Sequence, residues 1–76
     1  MTALKIYITW VKDGYGNVHN DLCDEYPERV TFNSLRKEDG SKVDFDMRRL
    51  HHLDAFCDEH GFTHGMQTVD VEINDD

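Results

Sequence analysis

The stretch LKIYITWV, residues 4–11, is the most regular pattern in the chain, because apolar and polar side chains alternate along it. A period of two residues is typical of a β-strand with one buried face. We therefore predict a strand here, with its large apolar side chains turned towards the core. These side chains are Leu4, Ile6, Ile8 and Trp10.

Shorter alternating segments predict three further strands. Residues 28–33 and 43–45 alternate in the same way. Residues 69–73 also alternate, and their polar positions are mostly acidic. Each segment is rich in β-branched or aromatic residues, which favour strands.

Turn and bulge signals separate these strands. Residues 13–17 and 39–40 combine Asp with Gly, which can adopt the positive φ of a tight turn. Leu35 is out of step with Phe32, because a strand places only residues of the same parity on one face. A β-bulge or a strand end is therefore expected near Ser34.

The main helix is predicted over residues 47–60, where apolar residues recur at helical spacing. Asp46 suits the N-cap, and Gly61 suits the left-handed residue that ends a helix. A second, short helix is expected over residues 20–26, since Pro27 would prevent it from continuing. The apolar stripe of the main helix consists of Leu50, Leu53, Phe56 and Cys57.

These elements predict an α+β fold in a single domain, residues 1–76, because 76 residues suffice for one core and not for two. We expect a small, mostly antiparallel sheet of four strands with the main helix on one face. With the short first helix the order is that of a split β-α-β, ferredoxin-like arrangement; the alternative is an antiparallel meander with one helix. The expected core residues are Leu4, Ile6, Ile8, Trp10, Val30, Phe32, Val43, Phe45, Leu50, Leu53, Phe56, Val69, Val71 and Ile73.

The charge balance restricts the choice of partners. Sixteen acidic and eight basic residues give a net charge of −8. A polyanion gains no counterion-release energy on phosphates, so direct binding to nucleic acid or to an anionic membrane is disfavoured. No signal peptide or apolar span is recognisable, and Cys23 and Cys57 form no CxxC pair. We therefore expect a cytoplasmic protein with a basic partner.

Cys57, His60 and His64 follow the spacing C-x2-H-x3-H, which is permissive for zinc. A fourth ligand is missing nearby, and the Cys57 sulfur lies on the apolar stripe, where the core needs it. His60 also suits the negative end of the helix. We therefore predict no metal site, no cofactor and no catalytic residues, and retain a transition-metal-binding protein as an alternative.

Carboxylates are concentrated in two parts of the sequence. Asp70 and Glu72 share one face of the last strand, about 6.7 Å apart. Tyr7 would join that face if the first and last strands pair, and its ring can stack on an Arg side chain. The second group of predicted partner-binding residues is Asp21, Asp24, Glu25 and Glu28.

The sequence therefore predicts a small, acidic, non-enzymatic protein-binding module. We expect it to occupy a basic, nucleic-acid-handling surface of a larger protein and so to inhibit or regulate that protein. In size and charge it resembles small phage-encoded inhibitors, including anti-restriction and anti-CRISPR proteins, and the resemblance implies the same role. A structural subunit of a homo-oligomer, in the simplest case a homodimer, is the further alternative.

Overall fold

In the computed structural model, which describes residues 2–73, the chain forms five β-strands, one 3-10 turn and one α-helix. The predicted α+β class is confirmed. In chain order the elements are β1 (Thr2–Lys12), β2 (Val18–Cys23), β3 (Arg29–Arg36), β4 (Lys42–Arg49), the 3-10 turn (Leu50–His52), α1 (Leu53–His60) and β5 (Thr63–Ile73).

The strands form two antiparallel sheets rather than one sheet of four strands. The first sheet has the order β2-β1-β5, and the second sheet is the β3-β4 hairpin. The short helix predicted over residues 20–26 is wrong, because Val18–Cys23 is extended and pairs with β1. The ferredoxin-like arrangement, which needs that helix, is therefore also wrong, and the meander alternative is closer to the structure.

The strand predicted at residues 4–11 is confirmed, but its buried face is the opposite one. Thr9 and Val11 are buried, at 1% and 0% exposure, whereas Leu4 is 37% exposed. Alternation specifies a strand without specifying which parity meets the core, since that depends on tertiary packing. The predicted core residues that instead lie on the outer side of the first sheet, half-buried or exposed, are Leu4, Ile6, Ile8, Trp10, Val69 and Val71; the side chain of Ile73 lies outside the described residues.

The core lies between the second sheet, α1 and the inner side of β1. Predicted core residues on β3, β4 and α1 are confirmed, and Val43 and Leu50 pack against them as partly buried neighbours. The buried apolar cluster consists of Val11, Val30, Phe32, Leu35, Phe45, Leu53, Phe56, Cys57 and Phe62.

The predicted bulge in β3 explains why Leu35 belongs to the core. Ser34 has a φ of 68°, and the β3-β4 register shifts between Phe32 and Leu35. The Ser34 amide donates to Asp44 Oδ1 at 3.0 Å. Because of the extra residue, Phe32 and Leu35 both point inward although their parities differ.

The helix begins later than predicted. α1 starts at Leu53 and follows a 3-10 turn, and Asp46 is an exposed residue of β4 instead of an N-cap. Arg48 and Arg49 continue the pairing with β3, which keeps the chain extended up to that point.

The end of the helix matches the prediction. Gly61 has a φ of 73° and its amide donates to Asp58 O at 3.4 Å, while the Phe62 amide donates to Cys57 O at 2.8 Å. These two bonds form a Schellman motif. The motif turns the buried Phe62 ring back onto the core. Phe62 was not among the core residues expected from the sequence.

A buried carboxylate joins the two sheets. Oδ1 of Asp13 accepts hydrogen bonds from the amides of Tyr15 and Asn17, both at 3.0 Å. Oδ2 accepts from Nε2 of His19 at 2.9 Å and from the amide of Arg36 at 3.1 Å. The Asp13 side chain is fully buried. It therefore fixes the β1-β2 turn and attaches the end of β1 to the end of β3.

Gly14 allows the backbone after β1 to approach the backbone at the end of β3 closely. Its amide donates to Arg36 O at 2.8 Å. A Cβ at this position would lie 2.8 Å from the Glu38 amide nitrogen, which is too close for any side chain. The backbones at this junction can therefore approach only with Gly at position 14.

We expect Asp13→Asn to lower the free energy of unfolding by about 3 kcal/mol, because the amide cannot accept from four donors and leaves buried groups unpaired. Urea unfolding at pH 7 measures this. Asp46→Asn, an exposed change of the same kind, should cost no more than about 0.5 kcal/mol. Equal losses in the two variants would contradict the role of Asp13.

The contribution of Asp13 to the stability of the fold should depend on pH. Burial raises the pKa of Asp13, but hydrogen bonds from His19, Arg36, Asn17 and Tyr15 outweigh burial and hold the pKa below its usual value. Its stabilisation is therefore complete above the unfolded pKa of about 3.9 and is lost as pH falls through the lower folded pKa. The difference in stability between wild type and Asp13→Asn should shrink over that range, whereas a constant difference would be inconsistent with a paired carboxylate.

Candidate functional site

The inner side of the first sheet, which carries Thr9 and Val11, continues beyond the core as an acidic surface. Tyr7 lies opposite Thr68 of β5. Asp70 follows Thr68 by two residues, and Glu72 follows by four, so both share the face of Tyr7. The pairing of first and last strands that this arrangement requires is present over the full length of β1.

The second group of predicted carboxylates lies on the other flank of Tyr7. Cys23 of β2 is the register partner of Tyr7. Burial raises the pKa of the Cys23 thiol, and three nearby carboxylates raise it further. They belong to Asp21, Asp24 and Glu25. The two groups, which are far apart in sequence, therefore flank the same tyrosine.

Tyr26 completes the centre of this surface. Its ring lies edge-to-face with that of Tyr7, with 5.7 Å between ring centroids and 77° between ring planes. Tyr26 is 66% exposed, so the pair presents an aromatic surface to solvent. Sequence reasoning missed it because the segment was predicted to be helical; its position among four acidic residues, directly before Pro27, was the available signal.

Glu28 extends the surface along the loop between β2 and β3. Residues 22–29 line one open groove that includes Glu28 and the neighbouring carboxylates. The Glu28 main-chain oxygen accepts from the Leu50 amide at 3.0 Å, which fixes the loop against the 3-10 turn. We call the whole surface the tyrosine-carboxylate face: Tyr7, Tyr26, Asp21, Asp24, Glu25, Glu28, Asp70 and Glu72.

The carboxylates of this face have few partners among the described residues, where Asp21 Oδ2 accepts from the Thr31 amide at 3.3 Å. Among the residues that the structure describes, the ion pairs within 4.0 Å join His19 to Asp13 and His64 to Asp54, and neither involves the face. Lys5 is the register partner of Asp70 but does not contact its carboxylate. The face therefore displays a surplus of negative charge around two tyrosines.

A cleft of about 260 Å³ adjoins the face between the first sheet and α1. Tyr26 belongs both to the cleft and to the tyrosine-carboxylate face. Leu53, Met66 and His64 form other parts of the cleft wall. Thr9 also lines it, and its buried Oγ1 has no hydrogen-bond partner. The cleft has room for one large side chain. The Thr9 hydroxyl lies buried below the cleft surface.

Cys57, His60 and His64 have separate structural roles. Cys57 is fully buried in the core, where burial and then Asp54 raise its pKa to about 11. Nδ1 of His60 donates to Phe56 O at 2.9 Å, and Nε2 of His64 donates to Asp54 Oδ1 at 3.1 Å. Within the described part of the chain, no group of three potential ligands is arranged to hold a metal ion.

Comparison with protein-family models, with curated proteins and with solved structures finds no match for this chain. No helix among the described residues is both long and apolar enough to cross a membrane. The function is therefore inferred from the chemistry of the surface itself.

The thiol of Cys23 provides a probe of the local charge. Asp24→Asn with Glu25→Gln should lower its pKa and increase its alkylation rate at pH 8 by about twofold, because more thiolate is present. Mass spectrometry after iodoacetamide treatment measures the rate, with the buried Cys57 as the unreactive internal reference. Asp58→Asn with Glu59→Gln removes the same charge from α1 and should leave the rate unchanged. If both pairs of substitutions had the same effect, the carboxylates would not be gathered around Cys23.

Proposed function

We propose that the chain is a non-enzymatic protein-binding module whose tyrosine-carboxylate face occupies a basic surface of a larger protein. The observation that supports this most is a pair of tyrosines, Tyr26 exposed and Tyr7 half-buried, flanked by carboxylates that form no ion pair with Lys or Arg among the described residues. Complementary charge of this kind increases association rate and specificity.

The tyrosines favour arginine over lysine in the partner. A guanidinium can lie on the exposed Tyr26 ring while donating to a carboxylate such as Glu25 or Asp24. Tyrosine and arginine are also the residues that contribute most to binding energy at protein interfaces. A flat anionic surface without the aromatic pair would lack this preference.

The cleft beside the face suits an anchoring side chain of the partner. Its walls are largely apolar, since Leu50, Leu53 and Met66 line it. An apolar side chain of the partner would fill it. Anchors of this kind at the centre of an interface contribute about 2 kcal/mol or more each.

A basic surface rich in arginine is typical of proteins that bind nucleic acid. By occupying such a surface, the module would compete with the nucleic acid and inhibit or regulate its partner. Small phage-encoded inhibitors, including anti-restriction and anti-CRISPR proteins, share the size and acidity of this chain. A cytoplasmic location follows from the proposal, since such partners act there.

Affinity capture from the host extract, with identification by mass spectrometry, tests this function. A specific partner should be retained by the wild type and lost from Asp24→Asn, Glu25→Gln, Asp70→Asn, a triple variant of the face. With the purified partner, we expect the triple variant to raise Kd at least about tenfold, and nucleic acid to compete with the wild type.

The matched control is Asp46→Asn, Asp58→Asn, Glu59→Gln, which removes three exposed charges outside the face and the cleft and should change Kd less than about twofold. Binding by the wild type should also weaken as salt rises from about 0.05 M to about 0.5 M. A partner held equally by the triple variant, or held independently of salt, would rule out the proposed role of the face.

A further inference from the structure

The outer side of the first sheet is an apolar surface that the fold leaves uncovered. Val18 and Leu22 of β2 are 56% and 62% exposed, and Val69 and Val71 of β5 are 44% and 41% exposed. The strand pairing places Leu22, Val69 and Val71 beside large apolar side chains of β1, while Val18 lies beside Lys12. We call this the outer face: Leu4, Ile6, Ile8, Trp10, Val18, Leu22, Val69 and Val71.

The outer face is continuous across three strands. Ile8 lies between Leu22 and Gln67, and Ile6 lies opposite Val69. Trp10 lies over Gly65, since a Cβ at Gly65 would come within 2.7 Å of the Trp10 ring. The Trp10 ring therefore lies flat against the sheet and does not project from its surface.

No acidic side chain projects from this face within residues 4–12, 18–22 or 63–71, although the chain carries 16 acidic residues. Two copies with a net charge of −8 can therefore meet here without burying a carboxylate. A basic partner, by contrast, would find no complementary charge on this side. Lys12, the register partner of Val18, is the one charged residue on this side within those ranges and lies at the end of β1. A level sheet that is otherwise uncharged fits a second copy of itself through a twofold axis.

The area fits a weak interface. The sheet is three strands wide over residues 7–12 of β1 and two strands wide over residues 2–6, so the face covers roughly 450 Å². This lies within the range of the largest apolar patches on monomers, about 300–600 Å², which are often functional. Two such faces together bury roughly 900 Å², just below the size of about 1,000 Å² from which specific interfaces begin, as expected for a dimer that forms at high concentration.

The elongated shape of the chain supports the same conclusion. Residues 2–6 of β1 pair only with β5, so this end of the first sheet is a two-stranded ribbon. The Cα radius of gyration is 14.4 Å, compared with about 11 Å for a compact domain of this length. A two-stranded ribbon is marginal in water unless something packs on its apolar face.

We infer that two copies of this chain pack outer face to outer face, as a β-sandwich dimer with about 10 Å between the sheets. The inner and outer faces lie on opposite sides of the first sheet, so both tyrosine-carboxylate faces stay exposed. The dimer would present two binding faces and gain avidity for a repeated or dimeric partner. This inference does not depend on the proposed function.

Sedimentation equilibrium over about 1 µM to about 500 µM tests the dimer. We expect the molar mass to rise from that of one chain, 8.9 kDa, to twice that value. Val69→Lys and Leu22→Lys place a charge in the interface at exposed positions, where the monomer tolerates it. Each should raise the dimer dissociation constant at least about thirtyfold.

Thr68→Lys is the matched control, since it adds the same charge one residue away on the inner side and should leave dimerisation unchanged. Circular dichroism shows that each variant is folded, and the Trp10 emission should shift to the red as dimers dissociate. A single-chain mass at every concentration, or a dimer that Val69→Lys and Leu22→Lys leave intact, would overturn the inference. A dimer lost only in the tyrosine-carboxylate variants would overturn it too. If no basic partner were captured, the proposed function would fail, but the molar mass measured for the dimer would be unchanged.

Discussion

The buried carboxylate of Asp13 determines how the two sheets meet. Three of its hydrogen bonds fix the β1-β2 hairpin, and the fourth, from the Arg36 amide, crosses to the second sheet. Asp13 directly follows β1 and has the same parity as Val11 and Thr9, so the side of the strand that carries it must turn towards the core. The bond to the Arg36 amide holds that side against the second sheet. Every other assignment of faces in the first sheet follows from this contact.

Once β1 is oriented in this way, its two sides acquire different chemistry. The inner side continues from the core into Tyr7 and the carboxylates of β5, while the outer side carries the larger apolar residues. One side offers negative charge and aromatic rings to a cationic partner, and the other offers a largely apolar surface to a second copy. Because the sheet separates them, both interactions can take place at once.

Local patterns were enough to predict several features from the sequence. The strand at residues 4–11, the β3 bulge near Ser34 and the helix end at Gly61 depend on neighbours a few residues away, and all three are confirmed. The common face of Tyr7 and Asp70 was predictable once β1 and β5 were assumed to pair. Each of these inferences uses strand parity or glycine geometry alone.

Contacts distant in sequence account for what was missed. The more apolar parity of β1 lies outside because Asp13 bonds to Arg36, 23 residues away, and no periodicity encodes that bond. The helix starts late because Arg48 and Arg49 stay paired with β3. Tyr26 contacts Tyr7 only because β2 is a strand that ends beside Tyr7, so that the loop after it lies next to the Tyr7 ring.

Nuclear Overhauser effects in the labelled protein test the orientation of β1 most directly. Cross-peaks are expected from the Val11 methyl groups to the aromatic rings of the core, such as Phe45, and none from the Trp10 indole to those rings. Cross-peaks from Trp10 to Phe45 or Phe56, with Val11 exposed to solvent, would show that the strand faces the other way and would contradict both surfaces described for it.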